Sequence, residues 1–434
     1  MVAGTAGRAN AEPAYLAPKL VFVHVMKTAG TSLYRWLQRH YRHDDILTEA
    51  SNWLGYWRMP PEIRARKRFV RGHFGSYITR YHNAANGFRA ITVLRDPVDR
   101  TISHYFHGKS APDAGLLGKI IKTEKLTLDD FLEHPGCAPF ASNFQVRNFA
   151  YDLNRDYGTE KLAPARFFKA PMGQAEFVHA QEFLRASDLV GFTEDLPAFV
   201  ASLSDMMGFF PDDDLGGSRG YREGGQTIGP DTERKIRKAN ALDIELYAWA
   251  RQSAATAKAA AIISAPRRQP RNPIDLSACD AVRWDVKEPF FGTGWSDVQS
   301  PDGTDAPPHR WTIDSEDATL HIKVDPGAQY QLRLGIFRFV TAEQRNHFEL
   351  FANGAKLELQ ESASFGRANE GGGLFLARLG PTQDERCELT VRVGLLKTFH
   401  MYNPIDSDET PRGLALCSIT FAKIDDAALT TGRT

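Results

Sequence analysis

An α/β protein with a parallel sheet flanked by helices, followed by an all-β sandwich, is the fold class this sequence predicts. Three observations predict it. Two apolar runs, Leu20–Val25 and Ala90–Leu94, each lead through a polar turn into a segment of helical period, the strand–turn–helix order of a parallel sheet. Beyond Pro273 the pattern changes to apolar–polar alternation, which marks antiparallel strands with one buried face. Between the two regimes lies Ala265–Pro273, APRRQPRNP, a Pro- and Arg-rich stretch suited to a semi-rigid linker.

The expected division is a flexible N-terminus (1–18), an α/β domain (19–262), a linker (263–275), a β-sandwich (276–426) and a flexible C-terminus (427–434). With 434 residues, 42% of them hydrophobic, the chain can bury a large core and two domains. Its 53 basic residues balance its 53 acidic ones, so nothing pulls the whole molecule toward nucleic acid, and any anion site must be local. Cys137, Cys279, Cys387 and Cys417 lack CxxC spacing. They read as reduced thiols in a cytoplasmic protein rather than a disulfide frame or zinc site. The first residues lack an apolar signal region, and no run reaches the roughly 18 apolar residues of a spanning helix.

In the first element, Leu20–Val23 and Val25 form a short strand. Leu33, Trp36, Leu37 and His40 then fall at i, i+3, i+4 and i+7, a helix with one apolar face. The turn between them, Lys27-Thr28-Ala29-Gly30-Thr31-Ser32, offers backbone N–H groups and a cation at a helix N-terminus, a setting for phosphate. Asp44–Pro61 reads as an irregular connection whose Trp53, Tyr56 and Trp57 either face substrate or pack the loop onto the body. Lys67–Arg71 is a short strand ending at Gly72-His73. A ligand in an open α/β sheet binds beyond the carboxyl ends of the strands, which places His73 at the site.

Phe88–His107 repeats the motif. Ala90–Leu94 is a buried strand, Arg95-Asp96-Pro97 turns the chain, and Pro97 starts a helix. Ser103 lies eight residues after Arg95, about two helical turns on. An arginine fork and a hydroxyl can together hold a phosphate monoester. The alternative is a helix cap by Asp96 or Asp99, with Arg95 paired to a carboxylate.

These two stretches together, Lys27–Ser32 and Leu94–Ser103, resemble the carbohydrate sulfotransferase family that includes heparan sulfate 2-O-sulfotransferase and its bacterial relatives. The resemblance extends to Arg71-Gly72-His73, Asn143–Arg147, Val190–Asp195 and Ala239–Tyr247, and covers roughly residues 20–250. Met26 departs from it, since relatives carry Pro before the Lys. The resemblance implies a P-loop-like sheet in which the first loop binds the 5′-phosphosulfate of PAPS (3′-phosphoadenosine-5′-phosphosulfate), the second binds its 3′-phosphate, and His73 is the base. The donor site is then Lys27, Thr28, Ala29, Gly30, Thr31, Ser32, Arg95 and Ser103.

The chemistry of the residues agrees. Sulfuryl transfer builds charge on the leaving phosphate and releases a hydroxyl proton. Lys27 can follow the charge. His73, with an ordinary imidazole pKa of about 6.5, can take the proton, and Glu49 or Glu62 are the alternative bases. Arg100 is expected to support the 3′-phosphate loop, while Asn143 and Arg147 face donor or acceptor unless they are plain helix-surface residues. His104 and His107 have no carboxylate or third ligand placed to complete a metal site, so no metal is expected. A nucleotide kinase would carry GxxxxGK[ST], with Lys closing the loop, whereas Lys27 opens it.

Further along, Asp188–Thr193 predicts a strand and Leu196–Gly208 a helix. Asp212–Gly229 predicts a flexible loop that could form a lid, and Thr232–Ala261 one long helix capped by Asp231. The C-terminal strands are expected at Thr319–Val324, Tyr330–Ile336, His347–Phe351, Lys356–Leu359 and Glu388–Val393, with Asn353-Gly354 as a hairpin turn. Phe290–Trp295, Arg310-Trp311 and Arg412–Leu416 resemble the jelly-roll domains found beside bacterial glycosyltransferases and sulfotransferases. Trp284, Trp295 and Trp311 read as core packing in preference to sugar stacking. The expected activity is sulfate transfer from PAPS to a hydroxyl of a glycan or glycolipid. The alternatives are a non-catalytic glycan-binding protein with a degenerate domain of this type, and a nucleotide kinase.

Overall fold

The computed structural model describes residues 16–47, 53–110, 115–151, 172–209, 228–261, 274–277, 280–299, 306–365, 371–398 and 410–424. Four parallel strands form the first sheet: β1 (Lys19–Val23), β2 (Phe69–Gly72), β3 (Phe88–Leu94) and β4 (Leu189–Phe192), in the order β2-β1-β3-β4. Side chains alternate across it. Leu20 and Phe22 of β1 join one apolar cluster with Phe69 and Ile91, while Val21 and Val23 join another with Val70 and Leu94. A strand buried on both faces needs this continuous apolar run, which is why Leu20–Val23 reads as it does.

β1 leads into α1 (Gly30–Leu37), which buries Leu33, Trp36 and Leu37. The segment expected to be irregular holds a short helix, α2 (Trp53–Arg58), and ends on the first residue of another, α3 (Pro61–Arg66). Trp53 and Tyr56 stand one turn apart and both pack on Phe74, so tertiary burial selects the helix, and Pro61 sets the first turn of the next. β3 leads into α4 (Pro97–Ser110), followed by α5 (Gly115–Thr123), α6 (Leu128–Glu133), α7 (Ala138–Ala141) and α8 (Phe144–Phe149). Beyond them come α9 (Gln174–Ala186) and α10 (Leu196–Met207), the second ending on left-handed Gly208.

The long helix expected over Thr232–Ala261 is two, α11 (Pro230–Ala239) and α12 (Ala241–Ala261), and Asp231 lies inside the first turn rather than capping it. The break is at Asn240, whose amide donates to the carbonyls of Ala141 and Ile236 while its Oδ1 accepts from the N–H of Asn143. In return Asn143 Oδ1 accepts from the N–H groups of Leu242 and Asp243, capping α12.

The C-terminal part has two antiparallel sheets. One orders β10 (Ala355–Leu357), β9 (Phe348–Ala352), β13 (Arg386–Val393) and β7 (Asp317–Lys323). The other orders β11 (Gln360–Phe365), β12 (Gly371–Leu379), β8 (Gln329–Phe339), β14 (Arg412–Ile424) and β5 (Ala281–Asp285), with β6 (Arg310–Ile313) also on β14. Leu320, Leu350 and Val391 from the first meet Leu334, Ile336 and Ile419 from the second in one core, as in a sandwich. Asn353 and Gly354, at φ 47° and 79°, turn β9 into β10, the two positive values that favour Asn-Gly in a tight hairpin. Trp284, Trp295 and Trp311 are all buried, so they pack the fold.

The two parts touch where α1 ends. Phe290 N–H donates to Arg39 O at 2.8 Å, His43 N–H to Lys287 O at 2.7 Å, and Arg42 pairs with Glu288 at 3.0 Å. Gln38 donates to Asp297, and the His40 ring lies 5.1 Å from Phe291. Among the described residues no helix is long and apolar enough to cross a membrane. Cys137, Cys387 and Cys417 are free thiols, each pushed up to about 11 by burial. Cys279, Glu49, most of the expected linker and most of the loop expected at Asp212–Gly229 lie outside the described residues.

Candidate functional site

Because β1 pairs in parallel with both β2 and β3, the chain leaves all three strands on the same edge of the sheet. Lys27 follows β1, His73 follows β2 and Arg95 follows β3, and this common edge is where an open α/β sheet binds its ligand.

The loop from β1 to α1 is strained and cross-braced. Lys27 and Ala29 adopt positive φ, 71° and 59°, a region that costs a residue with a side chain on the order of 1–3 kcal/mol. Thr28, fully buried, donates its hydroxyl to Val25 O at 2.9 Å, and the Arg95 guanidinium donates to Lys27 O at 3.2 Å. The first and second loops are therefore joined directly. α1 begins with no side-chain cap from Ala29 and no acidic residue in its first turn, so the positive end of its dipole faces the loop without a countercharge from that turn. Lys27 is half-buried, and burial, then Arg95, lower its pKa. An ammonium short of water gains more from an anion than an exposed one does. Thr31 is exposed and Ser32 half-buried on the same turn.

His24 joins this edge without being expected there. It interrupts the apolar run between Val23 and Val25, and its ring lies beneath Gly30 so closely that a Cβ there would fall 1.8 Å from Nε2. That close approach is what makes position 30 a glycine. The ring lies 5.0 Å from that of His73. It is buried, its Nδ1 has no hydrogen-bond partner among the described residues, and burial, then His73, hold its pKa well below the usual range. A polar residue at a strand's carboxyl end was the available signal.

His73 is open to solvent, yet protein surrounds it closely enough that burial, then the Arg71 charge, push its pKa down to about 4. Both facts hold for a ring on the wall of a cleft, and both leave the imidazole neutral at pH 7. Its ring hydrogen-bonds the His24 backbone, which fixes one nitrogen and leaves the other to accept a proton. Arg71 lies over the Tyr34 ring at 3.7 Å and hydrogen-bonds its hydroxyl, so its charge is held near both histidines. Glu62 sits exposed on α3.

Arg95 is set by Gln145 of α8, whose Oε1 accepts from Arg95 N–H at 3.1 Å and whose Nε2 donates to Arg95 O at 2.9 Å. Gln145 is held in turn, since buried Asp243 accepts from the N–H groups of Gln145 and Val146 at 3.0 and 2.8 Å. Asp96 caps α4 through Val98 and Asp99, so the second loop presents side chains rather than an open helix end. Ser103 is half-buried two turns into α4.

Arg100, expected to support the second loop, is fully buried and bonds His104 Nδ1, Thr101 and Phe140 O, so it braces α4 from inside the fold. Asn143 is committed to α12, and Arg147 is buried, so neither is a surface contact for donor or acceptor. A cavity of about 760 Å³ lies at the other end of α4, lined by Tyr105, Lys109, Lys122, Lys125 and Thr232 among others. None of the predicted site residues lines it.

No family model matches the chain, and no curated protein matches it. Among solved structures, a family 35 carbohydrate-binding module from Clostridium thermocellum aligns with 33% of this chain and 98% of its own at 8% identity and a TM-score of 0.20. A family GH115 4-O-methyl-α-glucuronidase with specificity for decorated arabinogalactans aligns with 85% of this chain at 12% identity and a TM-score of 0.21, and 53% of that enzyme is covered. Both similarities are too low to transfer fold or function.

Proposed function

We propose that this protein is a sulfotransferase that moves the sulfuryl group of PAPS to a hydroxyl of a glycan or glycolipid. The observation that carries the proposal is the junction of the two loops, Arg95 on Lys27 O at 3.2 Å, on the sheet edge that also bears His73. One loop offers a helix N-terminus and a poorly hydrated ammonium, the other a guanidinium, a pairing suited to the two phosphates of one nucleotide. In this reading the α/β part is P-loop-like, and the sandwich is a jelly-roll accessory domain that positions substrate or partner. Free thiols accord with a cytoplasmic setting.

The step is in-line. The acceptor oxygen bonds to sulfur as the bond from sulfur to the 5′-phosphate oxygen breaks. The hydroxyl proton passes to the free nitrogen of His73, and PAP (3′-phosphoadenosine-5′-phosphate) leaves with its new charge facing Lys27 and the N–H groups of α1. Thermal unfolding with ligands tests the donor: PAP raises the Tm of wild type, while Lys27→Ala and Arg95→Ala abolish that rise. A rise with ATP and Mg²⁺ but none with PAP means a kinase instead. PAP binding without turnover on any glycan favours a glycan-binding protein.

A further inference from the structure

The whole chain is neutral, but residues 53–82 carry Arg58, Arg64, Arg66, Lys67, Arg68, Arg71 and Arg80 against the single acid Glu62, a net of +6. Three of these charges face inward: Lys67 donates to Asp44 O, Arg68 to Ala17 O, and Arg71 lies on Tyr34. Arg58, Arg66 and Arg80 are exposed and Arg64 is half-buried. The same span exposes Trp57 at 37%, Ile63 at 37% and Tyr81 at 38%. Trp57 and Tyr81 meet edge to face at 5.4 Å, and Ile63 stands one turn from Arg66 on α3.

The inner side of this patch is anchored. Trp53 donates to Phe74 O at 3.1 Å, and the Tyr56 hydroxyl meets His82 at 2.9 Å. The outer side therefore presents arginines, two aromatics and an isoleucine on a fixed frame, the mix that enters the headgroup region of a bilayer while cations meet anionic lipid. We propose that the outer face of α2, α3 and Tyr81 docks on an anionic lipid surface.

Charge complementarity selects an anionic partner, and Ile63 favours lipid over sugar, since an exposed aliphatic side chain buries more apolar surface among acyl chains than against a hydroxylated ring. Trp57 already has the Arg64 guanidinium at 4.9 Å and the stacked Trp53 ring at 5.8 Å, contacts a pyranose would have to displace. The proposal goes beyond the sulfotransferase reading and does not depend on it.

The test is cosedimentation of the full chain with vesicles of phosphatidylcholine alone or mixed with phosphatidylglycerol. Wild type binds only the mixed vesicles, less so as salt rises. The doubly substituted Arg58→Gln, Arg66→Gln variant binds about thirtyfold more weakly, and Ile63→Asp on the order of tenfold more weakly, with Tm unchanged in both. No binding to the mixed vesicles, or binding that survives both changes, overturns the proposal. So does soluble polygalacturonate binding more tightly than the vesicles and equally to wild type and Ile63→Asp, which makes an acidic glycan the occupant.

Discussion

The carboxamide of Gln145 grips both backbone atoms of Arg95, accepting from its N–H at 3.1 Å and donating to its carbonyl at 2.9 Å. Gln145 is itself held by Asp243, and Arg95 reaches on to Lys27 O, so one chain of hydrogen bonds runs from the start of α12 to the loop after β1. Gln145→Leu removes two of these bonds and strands two backbone groups. Stability falls by about 2–4 kcal/mol, read from urea unfolding, and PAP affinity by roughly tenfold or more. Unchanged PAP affinity means that Arg95 is not part of the donor site.

Gly30 and His24 are coupled by the overlap that a side chain at position 30 creates. Gly30→Ala costs about 3 kcal/mol, at the upper end for overpacking. The same change made in His24→Ala costs less than half as much, because the ring it strikes is gone. Urea unfolding of the two single variants and the double gives the coupling. A value near zero contradicts the packing described.

His40 is buried with both ring nitrogens unpartnered among the described residues, stacked on Phe209 at 4.1 Å and touching Phe291 of the sandwich. Burial, then Arg39, hold its pKa well below 6.5. The folded state thus keeps the ring neutral while the unfolded chain takes a proton near pH 6.5. The neutral ring's contribution to stability is complete above that pH and lost as pH falls toward the folded pKa. His40→Phe removes one proton from the dependence, a slope smaller by about 1.4 kcal/mol per pH unit. Urea midpoints between pH 7.5 and 5 measure it. His24, His82 and His104 are depressed too, so wild type retains most of its slope in the variant.

His73 is held neutral by burial and Arg71, so kcat/KM for PAPS stays level from neutral pH downward and falls only as the ring protonates, at a pH below the ordinary imidazole range. Arg71→Gln removes the nearby cation and lets imidazolium form more easily, which moves the acid limb to higher pH. A limb that stays in place rules out coupling between Arg71 and the base.

Much of this was legible in the sequence. Leu20–Val23 and Ala90–Leu94 announce buried strands because both faces of the sheet are covered, Asp96-Pro97 announces a capped helix, and Asn353-Gly354 a hairpin. Lys27, His73 and Arg95 are expected on one sheet edge because each follows a recognisable strand, and the parallel pairing of β1 with β2 and β3 puts them there. What escaped depends on contacts between distant residues. Trp53 and Tyr56 form a helix because Phe74 lies beneath them, Asn240 breaks a helix because Asn143 is there to exchange caps, and Arg100 turns inward to His104 and Phe140. His24 looked like a gap in an apolar run, since its meaning lies in Gly30 above it and His73 beside it.

The most direct test of the account is transfer of labelled sulfate from PAPS to a glycan panel without added metal, comparing wild type with His73→Gln, each checked for PAP binding by thermal shift. The account predicts turnover by wild type. It also predicts that His73→Gln binds PAP normally and loses turnover by a factor on the order of 10²–10⁴, the contribution of a positioned base. A His73→Gln enzyme that transfers sulfate at the wild-type rate contradicts it.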